Sequence, residues 1–400
     1  MKSIPLVFQD EEYSFQLLRT MAAAANGAAE VGECLVAAAS IREGDDETWY
    51  AAWRSMADRV YEEAKQSLEK GHTRSALSAF SRASNYYRTA EFFLHTNKRD
   101  PRILETGRLG SRSFEEAVAV TDLEIKKVSI PFEETFLPGY LCQVDREVRP
   151  LLIVQPGFDG TMEELYFGFA KAALERGVHC LVFEGPGQGS VIREQRIAFR
   201  PDWEHVIGPV VDFAVQQPMV DKSQLILCGI SLGGLLAARA LAFEKRIKIG
   251  IVNGAMWDFH ELATQENKQL QACLESTRAA HEVDTIVYKM MESSATLRWA
   301  VGHGMYAFGA DSPSDWMKKT RAYTLQDVIA NISCQMVVVE SDQDTLTGTQ
   351  SQKLYKELLC PKERMVFTAA EGAGDHCQVG APRRSVERVF NWLEKALMVH

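Results

Sequence analysis

The sequence predicts an α/β fold: a mostly parallel sheet with helices on both faces, preceded by a helical N-terminal domain. Three features of the 400 residues predict it. From about residue 123 onward, short apolar runs alternate with amphipathic stretches, the pattern of strands buried between helices. Before that point the apolar residues recur at helical spacing. One connection late in the chain, between NGAMWD and QMVVVE, is about 75 residues long, too long for a structureless loop.

In chain order, Trp49, Trp53, Met56, Val60, Ala64 and Leu68 recur at three and four, giving one buried stripe, and Gly71 is a stop signal. Ala76, Phe80, Ala83, Tyr87, Ala90 and Leu94 repeat the pattern, so the two segments form a helical hairpin. LEIKKVSIPF and GYLCQV read as strands on either side of an LPG turn. The later strand runs are LLIVQ (151–155), VHCLVFE (178–184), QLILCG (224–229), KIGIVNG (248–254), QMVVVES (335–341) and RMVFTAA (364–370). The expected division is a helical cap domain over 1–122 and a catalytic domain over 123–400, with a helical lid inserted at about 258–332.

Composition narrows the function classes. Hydrophobic residues make up 46% and charged residues 24%, a soluble globular balance, and the formal net charge is −10. That acidic balance argues against nucleic acid and anionic membrane surfaces as partners. The start, MKSIPLVFQDEEYSF, lacks the apolar core of a secretory signal, and no run is long enough to span a bilayer, so a cytoplasmic location is expected. The eight cysteines form no C-x-x-C pair and do not cluster with histidines, which points to reduced, packed thiols rather than disulfides or a metal site. FEGPGQGS (183–190) lacks the Lys-Ser/Thr of a phosphate loop and reads as a tight turn after a strand.

The chemistry centres on Gly229-Ile230-Ser231-Leu232-Gly233, a G-x-S-x-G motif between a strand and a helix-like run. In that context the motif is a nucleophile elbow, and the fold becomes an α/β-hydrolase fold. The sharp turn lifts the serine hydroxyl above the sheet, and the glycines let helix and strand approach closely. A serine needs a base, and the chain order of this fold is serine, acid, histidine. His376 follows the last strand run and is the candidate base. Asp342 and Asp344 follow the run before it; Asp344 is favoured as the acid, with Asp342 as a loop hydrogen-bonding residue. The oxyanion donors are the N–H groups of Leu232 and of Phe158 in QPGFDGTMEE, where Gly157 allows close approach. Asp159 is a candidate substrate contact or a cap for the helix that starts at Thr161. Trp257, Asp258 and His260 follow a strand and are candidate pocket residues. Tyr86 and Tyr87 are candidates from the helical domain, set against plain aromatic packing.

PGFDGTMEELYF, ALERGVHCLVFEGPGQG, FRPDWEHVIGPVVDF, GISLGG, SDQD and GAGDHCQVGA, in this order, resemble the FrsA-like branch of the α/β-hydrolases. That branch includes 2,6-dihydroxypseudooxynicotine hydrolase and fungal polyketide-shortening hydrolases. SNYYRTAEFFL and LPGY match more loosely, and Glu184 stands where relatives commonly carry aspartate. The resemblance implies Ser231, Asp344 and His376 as a triad and a helical N-terminal domain that helps close the site. It implies cleavage of a C–C (β-diketone-like) or ester bond in a small aromatic or polyketide-like carbonyl substrate, through an acyl-enzyme and without cofactor or metal. Acyl transfer or cyclisation, peptide cleavage, and a non-catalytic regulatory binding role are the alternatives. The stretch 1–45 is the candidate for packing on the lid or on a second subunit, as in a homodimer.

Overall fold

The computed structural model describes residues 6–265 and 280–398. Helices α1 (Glu11–Ala22), α2 (Val31–Ala38), α3 (Asp46–Glu69), α4 (Thr73–Glu91) and α5 (Pro101–Ala119) form the N-terminal part. Three of them start at an aspartate whose carboxylate accepts first-turn N–H groups: Asp10, Asp45 and Asp100. Each such cap is worth about 1 kcal/mol. The stripe Trp49, Trp53, Met56, Val60 and Ala64 is buried where α3 packs on α4, while Leu68, the last residue of the expected stripe, is exposed at the end of the helix. Gly71, in the left-handed region at φ 76°, ends α3. The His72 N–H then bonds the Ser67 carbonyl, turning the chain back into α4.

The strands are β1 (Glu124–Phe132), β2 (Thr135–Gln143), β3 (Arg149–Gln155), β4 (His179–Phe183), β5 (Val220–Ile230), β6 (Ile247–Asn253), β7 (Gln335–Ser341) and β8 (Lys362–Phe367). Among the described residues they form one sheet in the order β1-β2-β4-β3-β5-β6-β7-β8. β2 runs antiparallel to β1 and β4; β4, β3, β5, β6, β7 and β8 are parallel. Alternate residues feed two cores: Leu151, Ile153, Leu225 and Leu227 on one face, Leu152, Val154, Ile226 and Cys228 on the other. This is why these strands read as continuous apolar runs.

The LPG turn is not where the chain reverses. Leu137, Pro138 and Gly139 lie inside β2, paired with Ile130, Ser129 and Val128, and the turn falls at Glu133–Glu134 with Glu133 left-handed. Pro138 is tolerated because pairing of β2 with β4 begins only at Gly139. Its carbonyl accepts the Glu184 N–H beyond the end of β4, so its missing N–H interrupts no ladder.

Between β6 and β7 lie helices Phe259–Gln265, Ala280–Met291, Ala295–Ala307 and Pro313–Thr320. Helix Ala295–Ala307 packs on the Phe92–Thr96 turn that follows α4, so this stretch and the N-terminal helices meet above the C-terminal ends of the strands. Among the described residues, no helix is long and apolar enough to cross a membrane.

Candidate active site

Ser231 follows the last residue of β5 and precedes helix Leu232–Leu241. Its backbone stands at φ 57° and ψ −127°, a conformation costly for a non-glycine residue and found where surrounding structure enforces it. The glycines enforce it. A Cβ on Gly229 would lie 2.1 Å from the Gly233 carbonyl oxygen, and one on Gly233 would lie 2.3 Å from the Pro156 carbonyl oxygen. Both obstacles are backbone atoms that cannot swing aside. Gly229→Ala is therefore expected to lose about 3 kcal/mol, the upper part of the range for overpacking. Urea denaturation checks this, and an unchanged midpoint would remove the close-approach argument.

The Ser231 N–H bonds the Asn253 carbonyl at 2.8 Å, tying the elbow to the end of β6. His376 comes from the loop after β8. Its Nε2 lies 2.8 Å from Ser231 Oγ and its Nδ1 lies 2.7 Å from Asp344 Oδ2. A carboxylate only accepts, so in the neutral imidazole Nδ1 carries the proton and Nε2 is left to accept from the hydroxyl. Asp344 is oriented in turn. Its Oδ1 takes the N–H groups of Leu346 and Thr347, and its Oδ2 takes the Thr347 hydroxyl at 2.6 Å. Asp342 is elsewhere, accepting the Ala369 N–H at 2.9 Å.

His376 and Asp344 are 8% and 7% exposed, so their charges are little screened. Burial works against the imidazolium of His376, but the Asp344 carboxylate and the contacts to Asp344 and Cys377 outweigh it, and its pKa lies well above the usual histidine range. For Asp344, burial raises the pKa, and His376 with the Thr347 hydrogen bonds brings the net value below normal. The histidine loop is strained: Cys377 and Gln378 are both left-handed, at φ 53° and 57°. The Gln378 amide holds it there, bonding the Asn253 amide in both directions, Ser341 Oγ and Ser385 Oγ.

The loop after β3 abuts the elbow. A Cβ on Gly157 would stand 2.6 Å from the Ile230 oxygen and 3.2 Å from the Leu232 nitrogen. Among the described residues, the N–H groups of Phe158 and Leu232 have no acceptor. The loop is clamped from two sides. Gln188 Nε2 donates to the Pro156 carbonyl at 2.7 Å, and His303 Nε2 donates to the Phe158 carbonyl at 2.8 Å. Behind His303 stand His95, 3.1 Å away, then Glu91 and Arg193. Burial and the His95 charge push the His303 pKa down to about 3, so His303 is neutral and its Nδ1 accepts from His95.

Residues 151–388 match the model of the α/β hydrolase family. The chain belongs to this family. The hydrolase acrC of Aspergillus aculeatus is 33% identical over 97% of both chains. The 20-hydroxy-prefusarin hydrolase FUS2 of Gibberella moniliformis is 30% identical over 98% of both. The crystal structure of 2,6-dihydroxy-pseudo-oxynicotine hydrolase superposes with a TM-score of 0.73 at 20% identity, covering 94% of this chain and 96% of that one, and so shares the fold.

In this α/β hydrolase, Ser231, His376 and Phe158 line a cavity of about 450 Å³, with Met256, Phe259 and Trp299 among its apolar walls. Asp159 lines it too, but as the ion-pair partner of Arg19 from α1, at 2.6 Å. Burial alone would raise the Asp159 pKa; Arg19 brings it down to about 2. The cap of the following helix is Thr161 instead. The other pocket candidates lie outside the lining. Tyr86 and Tyr87 are buried, their hydroxyls donating to Glu33 and Asp58 at 2.7 and 2.6 Å. Trp257 is buried under the Lys353 ammonium, Asp258 Oδ1 accepts the Glu261 N–H at the start of a helix, and His260 Nδ1 meets Thr320 Oγ1 at 2.9 Å. The contacts of these five are made within the protein: hydrogen bonds for Tyr86, Tyr87, Asp258 and His260, and an ammonium over the ring for Trp257.

Sequence reasoning gave several residues no role in the site. Glu184 accepts the N–H groups of Met162 and Ser190, tying the loops after β3 and β4 together. Gln188 and Gln378 are buried amides that each bond at least one partner far off in sequence, Pro156 for Gln188 and Ser341 for Gln378, and no local spacing betrays those contacts. Cys377 Sγ lies 3.3 Å from His376 Nε2 and lines the cavity; its place next to the histidine was the one available signal.

Proposed function

We propose that this protein is a serine hydrolase that cleaves a C–C (β-diketone-like) or ester bond of a small aromatic or polyketide-like carbonyl substrate. The observation that carries the reading is the continuous hydrogen-bonded chain Ser231 Oγ–His376 Nε2 and His376 Nδ1–Asp344, opening on an apolar cavity. Ser231 attacks the carbonyl carbon as its proton passes to His376 Nε2. The oxyanion is held by the N–H groups of Phe158 and Leu232. Collapse expels an alkoxide, or a carbanion stabilised by a neighbouring carbonyl or phenol, which takes the proton from His376. Water, deprotonated by His376, then releases the acid and restores Ser231. The helices described between Phe259 and Thr320 act as the lid, with residues 266–279 outside the described residues, and the N-terminal helices act as the cap over this chemistry. The names of acrC and FUS2, both hydrolases, support a hydrolase, and the name of FUS2, a 20-hydroxy-prefusarin hydrolase, supports a small-molecule substrate.

Rapid mixing with p-nitrophenyl acetate is expected to give a burst of one p-nitrophenolate per site, and peptide mass analysis is expected to find the acetyl group on Ser231. The competing nucleophile is Cys377, beside the same imidazole. An acetyl group on Cys377, or no burst with any ester or β-diketone, would overturn the reading.

A further inference from the structure

The wall of the cavity opposite in origin to the elbow comes from α1 and α4, and it carries a guanidinium that the chemistry above does not use. Arg88, near the end of α4, lines the cavity and is 9% exposed. Among the described residues its Nη2 reaches only two hydroxyls, Thr89 Oγ1 at 3.2 Å and Thr20 Oγ1 at 3.4 Å. Its Nε is buried without any acceptor, and its Nη1 has none among the described residues. The carboxylates nearby are held by other cations: Asp159 and Glu164 by Arg19, Glu91 by Arg193. Burial, with Glu164 only partly opposing it, lowers the Arg88 pKa to about 10, whereas Arg19 and Arg193 sit above the usual range because their carboxylates touch them.

A guanidinium has five donors and no acceptor, and burying it without an anionic partner is costly. The neighbouring arginines show how this wall satisfies a guanidinium permanently. Arg88 alone among these three is left open, in the same cavity as Ser231 and His376. Gln16 Oε1, a buried acceptor without a partner among the described residues, belongs to the same wall. The rest of the cavity around Phe158, Phe259 and Trp299 is aromatic, so a neutral apolar ligand would leave the Arg88 donors unmet.

We propose that Arg88 is the specificity anchor for an anionic oxygen group on the substrate, a carboxylate or the ionised enol of a 1,3-dicarbonyl, held across the cavity from the carbonyl that Ser231 attacks. This rests on the serine hydrolase reading. The helical domain then selects the substrate as well as covering it. Oxygen anions meet arginine through charge-assisted, often paired N–H···O bonds, a geometry lysine does not reproduce.

The test compares three chain-matched p-nitrophenyl esters, one ending in a methyl group, one in a carboxylate and one in an acidic 1,3-diketone. The readout is the ratio of kcat/KM for each anionic ester to that for the neutral one, in wild type, Arg88→Lys and Arg88→Met. Wild type is expected to favour at least one anionic ester, and which one names the group. In Arg88→Met that ratio is expected to fall by about 10- to 100-fold, the worth of a charged hydrogen bond, with Arg88→Lys between. Isothermal titration of the free dicarboxylic acid and the free diketone reads the same preference without turnover and keeps the test open if Arg88→Met folds poorly. A wild type that favours the neutral ester, or a ratio and an affinity indifferent to Arg88, would overturn the proposal. Loss of fluorophosphonate labelling at Ser231 in wild type would instead mark the failure of the hydrolase reading, leaving the titration to judge Arg88 alone.

Discussion

Ser231→Ala is expected to lower kcat by about 10⁶-fold, the loss seen when a triad nucleophile is removed, and to abolish labelling by fluorophosphonates. The fold is expected to persist. Among the described residues the Ser231 hydroxyl bonds only His376, while the backbone position is held by the Asn253 carbonyl and by the packing of Gly157, Gly229 and Gly233. Alanine at φ 57° is strained to the same degree as serine, so the mutation adds no new backbone cost. The thermal midpoint should stay within a few degrees of wild type. Removing the hydroxyl leaves His376 Nε2 facing the cavity, with Cys377 Sγ at 3.3 Å. The variant thus separates the two candidate nucleophiles beside His376. Labelling that survived in Ser231→Ala and moved to Cys377 would transfer the chemistry from oxygen to sulfur; full turnover would end the serine mechanism altogether.

What could be read from the sequence divides along a physical line. Runs such as LLIVQ and QLILCG announce buried parallel strands because both faces of the sheet are covered, and the α3–α4 hairpin shows in its apolar spacing. The meeting of Ser231, Asp344 and His376 at the strand ends follows from strand order, since β5, β6, β7 and β8 are neighbours in both sequence and space. Residues whose partners are set by tertiary packing were not legible. LPG looks like a turn by composition, yet Pro138 lies in β2 because β4 stops one residue short of it. Tyr86 and Tyr87 face their own helical bundle, and Trp257 and His260 face Lys353 and Thr320 rather than the cavity. His303, which holds the Phe158 carbonyl, sits in a helix whose register against the β3 loop no periodicity encodes. Arg88 illustrates the same limit: on α4 it reads as one more helical arginine, and only burial without a carboxylate sets it apart.

Asp344→Asn should cost about 10⁴-fold in kcat, and the reason lies in how its two oxygens are used. Oδ1 receives two backbone N–H groups, from Leu346 and Thr347, so the carbonyl oxygen of an asparagine is drawn to that side. The amide NH₂ then occupies the place of Oδ2 and points a proton at His376 Nδ1. The imidazole must answer with a lone pair at Nδ1 and a proton at Nε2, the tautomer that cannot accept from Ser231. The pH profile carries a second, independent signature. The base must be neutral to act, so kcat/KM falls as pH drops through the pKa of His376, which burial lowers but Asp344 and Cys377 together raise well above the usual histidine range. Removing the carboxylate leaves burial opposed by less, and the acid limb should move to lower pH even as the rate collapses. Asp342→Asn is the control. Among the described residues its Oδ1 accepts only the Ala369 N–H, which an amide oxygen also accepts, so rate and acid limb should remain close to wild type. Were Asp342→Asn the variant that lost activity and shifted the limb, the acid would have to be reassigned. Were Asp344→Asn to lose activity with its acid limb unmoved, Asp344 would be acting on the shape of the 342–347 loop rather than on the charge of His376, because a change in loop geometry has no cause to move that pKa in one direction.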